Sequence, residues 1–327
     1  MNILLINFGG IGDEILFLPT IQTLKEEFQD SKITLALEPR SASIKNLSDI
    51  IDEVIKVDIK APHIKKYINI LKFLFTVWSK KFDILIISGS SFLVSILAFL
   101  TGIKRRIGYK SKTSFLLTDE VELNKNQYAG NMYHDLVKPL SKIPYKNPKI
   151  DLNLEFNLPF EGEFIALHPG VSKMSLVKNI LKCPDENFWR ELIQKLLEMG
   201  KRVVLLGGPD DKEIIEKLSD INNENLFNMF GKTKNIQELA SIIGKSSAFV
   251  CVDSAPMHIG VSLEKDVYAI FAGTDPKKLI PDSPKFKIIK NQNCPCSPCL
   301  WDKRQTSCEN PICLNINPDE IVKLLQA

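Results

Sequence analysis

"MNILLINFGGIGDEILFLP", residues 1–19, decides how the rest of the chain is read. A continuous apolar run, Asn2 to Phe8, is followed by a glycine-rich turn and then by apolar residues at helical spacing. Strand, glycine turn and helix in that order are the usual cradle for a nucleotide phosphate. Here the turn has Gly10 and Gly12, but Ile15 stands where the third glycine of a dinucleotide fingerprint belongs, and no Lys-Ser/Thr pair follows. The turn ends in Asp13 instead. A carboxylate about 4 Å from a phosphate charge costs about 4 kcal/mol at an effective dielectric of 20. The turn is therefore not expected to hold phosphates. Two roles remain open for Asp13: it caps the helix, or it faces a ligand and accepts a proton from a hydroxyl.

The same strand–helix alternation continues outward. "KITLALE", "EVIKVD", "FDILIIS" and "RRIGY" read as strands, with helices over 64–80 and 92–101. Apolar strands separated by helices predict a parallel sheet covered on both faces. Over 147–163 the pattern lapses into "NPKIDLNLEFNLPFEGE", and then it restarts with "FIALHPG", "KRVVLLGG", "LFNMFG", "AFVCVD" and "DVYAIFAG". The expectation is an α/β chain of two doubly wound, Rossmann-like domains, 1–155 and 156–293, facing across a cleft, with a cysteine-rich tail and a last helix over 294–327. A length of 327 residues suits two domains. Ligands are expected outside the carboxyl ends of the strands.

Composition narrows the function classes. The net charge is +3 and the apolar content 44%, so nothing points to a nucleic-acid partner. "ILIISGSSFLVSILAFLTGI", residues 84–103, is long enough to cross a bilayer, but its Ser-Gly-Ser-Ser centre reads as strand, turn and helix. No secretory signal is expected at the amino end. A cytoplasmic protein is the default, and contact with a membrane surface stays open.

The second half carries the better anion site. "VCVDSAPMHIG" ends a strand at Asp253 and begins a helix, with Ser254 as N-cap and Pro256 in the first turn. Free backbone N–H groups and the helix dipole there favour a diphosphate, and His258 is placed to reach a phosphate oxygen. "LLGGPDD" sets Asp211 after another strand and glycine turn, where an acid holds ribose hydroxyls or caps a helix. The loop 168–184 carries Lys173, Lys178 and Lys182, any of which could neutralise a leaving diphosphate. No Asp-x-Asp pair, the usual seat of a metal on a sugar nucleotide, occurs.

Taken together these motifs resemble glycosyltransferase family 9, the ADP-heptose:lipopolysaccharide heptosyltransferases. "INFGGIGDEILFLPTIQTLK" is similar to the family's opening, "RRIGY" to its Arg-x-Gly-aromatic element, and "DSAPMHIGVSLEKDVYAIFAGTDP" to its most specific block. Ala255 stands where the family has Gly, and Cys183 in "LKCP" where it has Trp. The resemblance implies a GT-B fold and an inverting, metal-independent transfer from a nucleotide-diphosphate sugar such as ADP-heptose to an anionic glycan or lipid-linked acceptor. It implies Asp13 as catalytic base and Lys182, Asp211, Asp253, Ser254, Ala255, Met257 and His258 as donor contacts. Acceptor contacts are expected at Gly10, Gly12, Arg105 and Arg106. A nucleotide-sugar epimerase of the same shape and a non-catalytic sugar-nucleotide binder are the alternatives. In the tail, Cys296, Cys299, Cys308 and Cys313 could hold a structural zinc; disulfides and free thiols are the other readings. No cofactor is expected for catalysis.

Overall fold

The computed structural model describes residues 1–300, 308 and 310–326, so that residues 301–307 and 309 of the cysteine-rich stretch lie outside the described residues. The chain divides into two compact units, Met1–Asp151 and Leu152–Ala327, the second of which includes the tail. The first unit runs β1 (Asn2–Ile6), α1 (Ile11–Glu27), β2 (Lys32–Leu37), β3 (Glu53–Lys56), α2 (His63–Lys80), β4 (Ile84–Ile87), α3 (Phe92–Leu100), β5 (Arg105–Tyr109), β6 (Asp119–Val121) and α4 (Ala129–His134). Its sheet is parallel throughout, in the order β3-β2-β1-β4-β5-β6.

The second unit runs β7 (Ile165–His168), α5 (Lys173–Val177), α6 (Glu186–Glu198), β8 (Val203–Leu205), α7 (Lys212–Glu216), β9 (Leu226–Asn228), α8 (Ile236–Lys245), β10 (Ala248–Val252), α9 (Ala255–Ser262), β11 (Val267–Ile270), α10 (Pro276–Leu279), β12 (Phe286–Ile289) and α11 (Pro318–Gln326). Its order is β12-β11-β10-β7-β8-β9, again all parallel. In both units the chain winds outward from the middle of the sheet in two directions. The chain thus contains two doubly wound, Rossmann-like sheets.

Burial follows from the strand period of two. In the first unit Leu4, Ile6, Leu85 and Ile87 face α2 and α3, meeting Phe73, Leu74 and Val77 of α2 and Leu97 and Ala98 of α3. In the second, Leu167, Leu205, Val250 and Val252 meet Trp189, Leu192 and Leu196 of α6. The stretch 84–103 resolves into β4, a turn and α3, and among the described residues no helix is long and apolar enough to cross a membrane. Two edge strands, β6 and β12, escaped the sequence reading because "DEV" and "FKII" are too short to show a period. So did α4, whose "AGNMYH" lacks a helical stripe. The lysine loop contains one turn of helix, α5, started by Ser172, whose Oγ accepts the N–H of Ser175 at 3.3 Å.

The β1–α1 turn is tighter than its glycine pattern suggests. Gly10 is the N-cap residue of α1, with φ −80° and ψ 176°, a conformation open to any residue. The steric demand falls on Gly9, where a Cβ would lie 2.3 Å from Cβ of Asp13. At Gly10 a Cβ would meet Asp13 Oδ2 at 3.6 Å, an ordinary contact. We therefore expect Gly9→Ala to destabilise the chain by about 1–3 kcal/mol, and Gly10→Ala by under about 1 kcal/mol. Urea unfolding of the two variants would check the order.

Candidate functional site

At the end of β1, Asp13 is the third residue of α1 and reaches back to the start of its own helix. Its Oδ2 accepts the N–H of Gly10 at 2.8 Å. Its Oδ1 accepts the hydroxyl of Tyr133, on α4, at 3.3 Å. Burial, with Asp13 adding to it, pushes the Tyr133 phenol up and keeps it a neutral donor. The carboxylate is half-buried, so two donors fix its plane while part of it stays open. Capping and proton acceptance, alternatives in the sequence, are compatible in this geometry.

Glu14 was not singled out by sequence. It is fully buried beneath the turn, and its Oε2 accepts from the Asn7 side-chain amide at 3.1 Å. Asn7 Oδ1 in turn accepts the hydroxyl of Ser88, after β4, at 2.7 Å. This chain of bonds joins the ends of β1 and β4, the adjacent strands at which the sheet order reverses. Burial first, and the neighbouring Asp13 charge second, raise the Glu14 pKa well above the usual carboxylate range. Side by side stand one buried carboxyl pushed toward its protonated form and one half-exposed carboxylate. Ligands of doubly wound sheets bind at this switch point.

The second unit repeats the turn. Gly207, Gly208 and Asp211 stand in the same spacing as Gly9, Gly10 and Asp13, and Asp211 Oδ2 accepts the N–H of Gly208 at 2.7 Å. The surroundings differ. Asp211 is 6% exposed and lies 3.4 Å from His168 Nε2. A Cβ at Gly170 would overlap its Oδ1, so the β7 loop lies across it. Burial lowers the His168 pKa against the pull of Asp211, and raises that of Asp211 against the pull of His168. Asp211 is placed as the turn's internal cap, covered by the backbone of its neighbours.

The switch point of the second sheet lies between β7 and β10, and there Asp253 and Lys182 meet. Lys182 Nζ is 2.7 Å from Asp253 Oδ2, and Thr274 donates its hydroxyl to the same oxygen at 2.8 Å. Burial pushes the Asp253 pKa up, but Lys182, Thr274 and His258 together hold it below the usual range. Of the three lysines in the loop, Lys182 is the one brought to Asp253. Ser254 is the N-cap of α9, yet its hydroxyl donates to the Val252 carbonyl at 3.3 Å and covers no first-turn N–H. Ala255 is half-buried and His258 buried in that turn. Met257 has its side chain wholly in the core, and its N–H donates to the Ser254 carbonyl at 3.1 Å, which leaves Ala255 as the open backbone donor of the turn.

Arg105 and Arg106 are committed to the scaffold. Arg105 pairs with Asp119 at 3.2 Å and donates to the Pro139 carbonyl at 3.0 Å. Arg106 donates to the carbonyls of Leu116 and Ile103. The zinc expectation for the tail is not supported. Cys296, Cys299, Cys308 and Cys313 border a cavity of about 40 Å³, but among the described residues no three His, Cys, Asp or Glu side chains converge as a metal site. All seven cysteines are unbridged. Cys294 and Cys313 pack on Ala272. A larger cavity, about 520 Å³, lies at the amino ends of β7, β8, β10 and β11, the wrong end of the sheet for a ligand of this topology.

Two Rossmann-like units, each with charged side chains gathered at its switch point, are the architecture of the GT-B class. The sequence model of glycosyltransferase family 9 (heptosyltransferase) matches residues 70–310, and the chain belongs to that family; it is a glycosyltransferase. Lipopolysaccharide heptosyltransferase 3 of Escherichia coli K12 is 25% identical over 286 residues, 81% of this chain and 80% of that protein. A solved Escherichia coli ADP-heptose lps heptosyltransferase II matches with a TM-score of 0.78 at 21% identity, over 100% of this chain and 98% of that one. An Escherichia coli heptosyltransferase solved with ADP matches with a TM-score of 0.75 at 18% identity, over 100% and 99%. At these identities the two structures speak for the fold. Asp13 precedes the matched range 70–310, so its assignment rests on its own geometry.

The buried Glu14 makes a pH prediction. Below about pH 4.3 it is protonated in both folded and unfolded chains. Above that value the unfolded chain ionises while the folded one holds its proton more tightly, so stability falls as the pH rises toward the raised pKa. Glu14→Gln removes this loss. It is expected to be more stable than the parent at pH 7–8 and to lose that advantage toward pH 4. Melting curves across that range would check the crossover.

Proposed function

We propose that this chain moves a heptose from ADP-heptose to an acceptor hydroxyl on a lipopolysaccharide core or related glycan, with inversion at the anomeric carbon and without a catalytic metal. The single observation that carries it is Asp13: a half-exposed carboxylate at the switch point of the first sheet, held by Gly10 N–H and Tyr133. Family membership supplies the sugar transfer, and the relatives' heptose and ADP suggest the donor.

In this mechanism Asp13 takes the proton from the acceptor hydroxyl as that oxygen bonds to the anomeric carbon from the side opposite the leaving group. The bond from that carbon to the diphosphate oxygen breaks, and its electrons leave with ADP. General-base catalysis of this kind contributes about 10²–10⁴ in rate. Tyr133 and Gly10 keep the carboxylate oriented through the step. Glu14, neutral beneath it, adds no second charge to repel the acceptor.

The leaving diphosphate is received in the second unit. Its charge is met by the amino end of α9 at Ser254 and Ala255, by His258, and by Lys182, which Asp253 holds in place. Asp211 contributes by shaping the β8–α7 turn and the loop over it. Gly12 offers backbone to the acceptor; the N–H and carbonyl of Gly10 are taken by Asp13 and Glu14, and Arg105 and Arg106 stabilise the strand beneath.

The test is transfer from ADP-heptose to a heptose-accepting lipopolysaccharide core, read by mass spectrometry. Asp13→Asn is expected to bind ADP like the parent and to lose transfer by about 10²–10⁴. Transfer near the parent rate in that variant would remove Asp13 from the chemistry. Donor isomerisation without an acceptor would favour an epimerase instead.

A further inference from the structure

Helices α2 and α3 share one face of the first sheet, and each carries another apolar surface on its far side. A helix on a protein surface ordinarily turns charged and polar residues outward. On α2, Phe73, Leu74 and Val77 are buried, yet Ile64, Tyr67, Ile68, Leu71, Phe75 and Trp78 form a stripe along the opposite side, each 44–74% exposed. On α3, Phe92, Leu93, Phe99 and Leu100 are exposed, and the neighbouring turn over 114–116 adds Phe115 at 76%. These residues form one patch. The Trp78 indole N–H donates to the Leu100 carbonyl at 3.1 Å, and the Phe75 and Trp78 rings meet edge to face at 5.3 Å. Single exposed apolar residues need no explanation, but a contiguous aromatic surface marks an interaction site.

Its charge identifies the occupant. Residues 59–118 hold eleven Lys and Arg and one acid, Asp83, whereas the whole chain is only +3. Asp83 is itself turned to the backbone N–H of Asn2 at 2.7 Å. Lys65, Lys66, Lys72, Lys81, Lys104 and Lys112 are in no ion pair among the described residues. A symmetric dimer through this face would set the patch against its own copy, cations against cations. A bilayer with anionic headgroups matches both features: aromatic rings suit the headgroup level, and lysines suit the phosphates above it.

We propose that the α2–α3 face of the first unit docks on an anionic lipid surface, with Phe75, Trp78, Phe92 and Phe115 entering the headgroup layer and the surrounding lysines pairing with lipid phosphates. The helices lie along the surface, since their other sides belong to the core. This docking does not depend on the sugar transferred, and its failure would leave the transferase assignment standing.

The experiment uses the full chain without donor or acceptor. It is sedimented with vesicles of phosphatidylcholine alone and of phosphatidylcholine mixed with phosphatidylglycerol. Binding is expected to the mixed vesicles, weakened by added salt, with a blue shift of tryptophan emission that Trp78→Phe removes. Phe92→Glu and Phe115→Glu alter exposed side chains and should melt like the parent while losing about ten-fold or more in vesicle affinity. Three results would each overturn the proposal: no preference for the anionic vesicles; undiminished binding by both variants; or retention of polyglutamate, or self-association in light scattering, with vesicle binding absent.

Discussion

The structure turns on a short bond made twice: a glycine N–H at the mouth of a strand, closed by an aspartate three residues later. In both units this bond starts the helix that follows the turn and forces glycine on a neighbouring backbone position. What separates the two copies is what lies over them. Around Asp211 the β7 loop and His168 close in, and the carboxyl becomes internal structure. Around Asp13 the added partner is the hydroxyl of Tyr133, and the carboxylate keeps an open side. A local capping device serves shape in one unit and is left available for chemistry in the other.

The neighbouring electrostatics follow the same division. In the first unit Glu14 is pushed toward its neutral form by burial, so that one carboxylate rather than two faces any acceptor. In the second unit Asp253 stays charged despite burial because Lys182, Thr274 and His258 offset the desolvation. That pair fixes the lysine beside the amino end of α9, where negative charge is favoured by the helix dipole. Elsewhere on the first unit, the stretch 59–118 that includes α2 and α3 carries eleven Lys and Arg against one acid, while the remainder of the chain is net acidic.

Much of this was legible in the sequence. Apolar strands alternating with helices identified both parallel sheets, and "NFGGIGD" and "VCVDSAPMH" lie at the two switch points. Strand order was not legible, and it is order that makes those ends switch points. The turn glycines suggested backbone freedom at Gly10 and Gly12, whereas the packing demand is on Gly9, a contact with Asp13 that spacing alone does not reveal. Neither Tyr133 nor Glu14 gave a signal. Tyr133 comes from a helix more than a hundred residues away, and Glu14 reads in sequence as an ordinary acid in a first helical turn. Lys182 could not be told from Lys173 or Lys178 until the loop was folded onto Asp253. The tail cysteines had metal-like spacing and gather around one small cavity, yet among the described residues no three metal-binding side chains form a site.

The central claim is a division of labour, with the proton acceptor in the first unit and the nucleotide in the second. Hydrogen exchange of the full chain with and without ADP tests it most directly. Slowed exchange is predicted over residues 168–184 and 252–262, with the turn over 7–16 unchanged. Protection of the Gly9–Asp13 turn by ADP, with none around Ser254, would contradict the account.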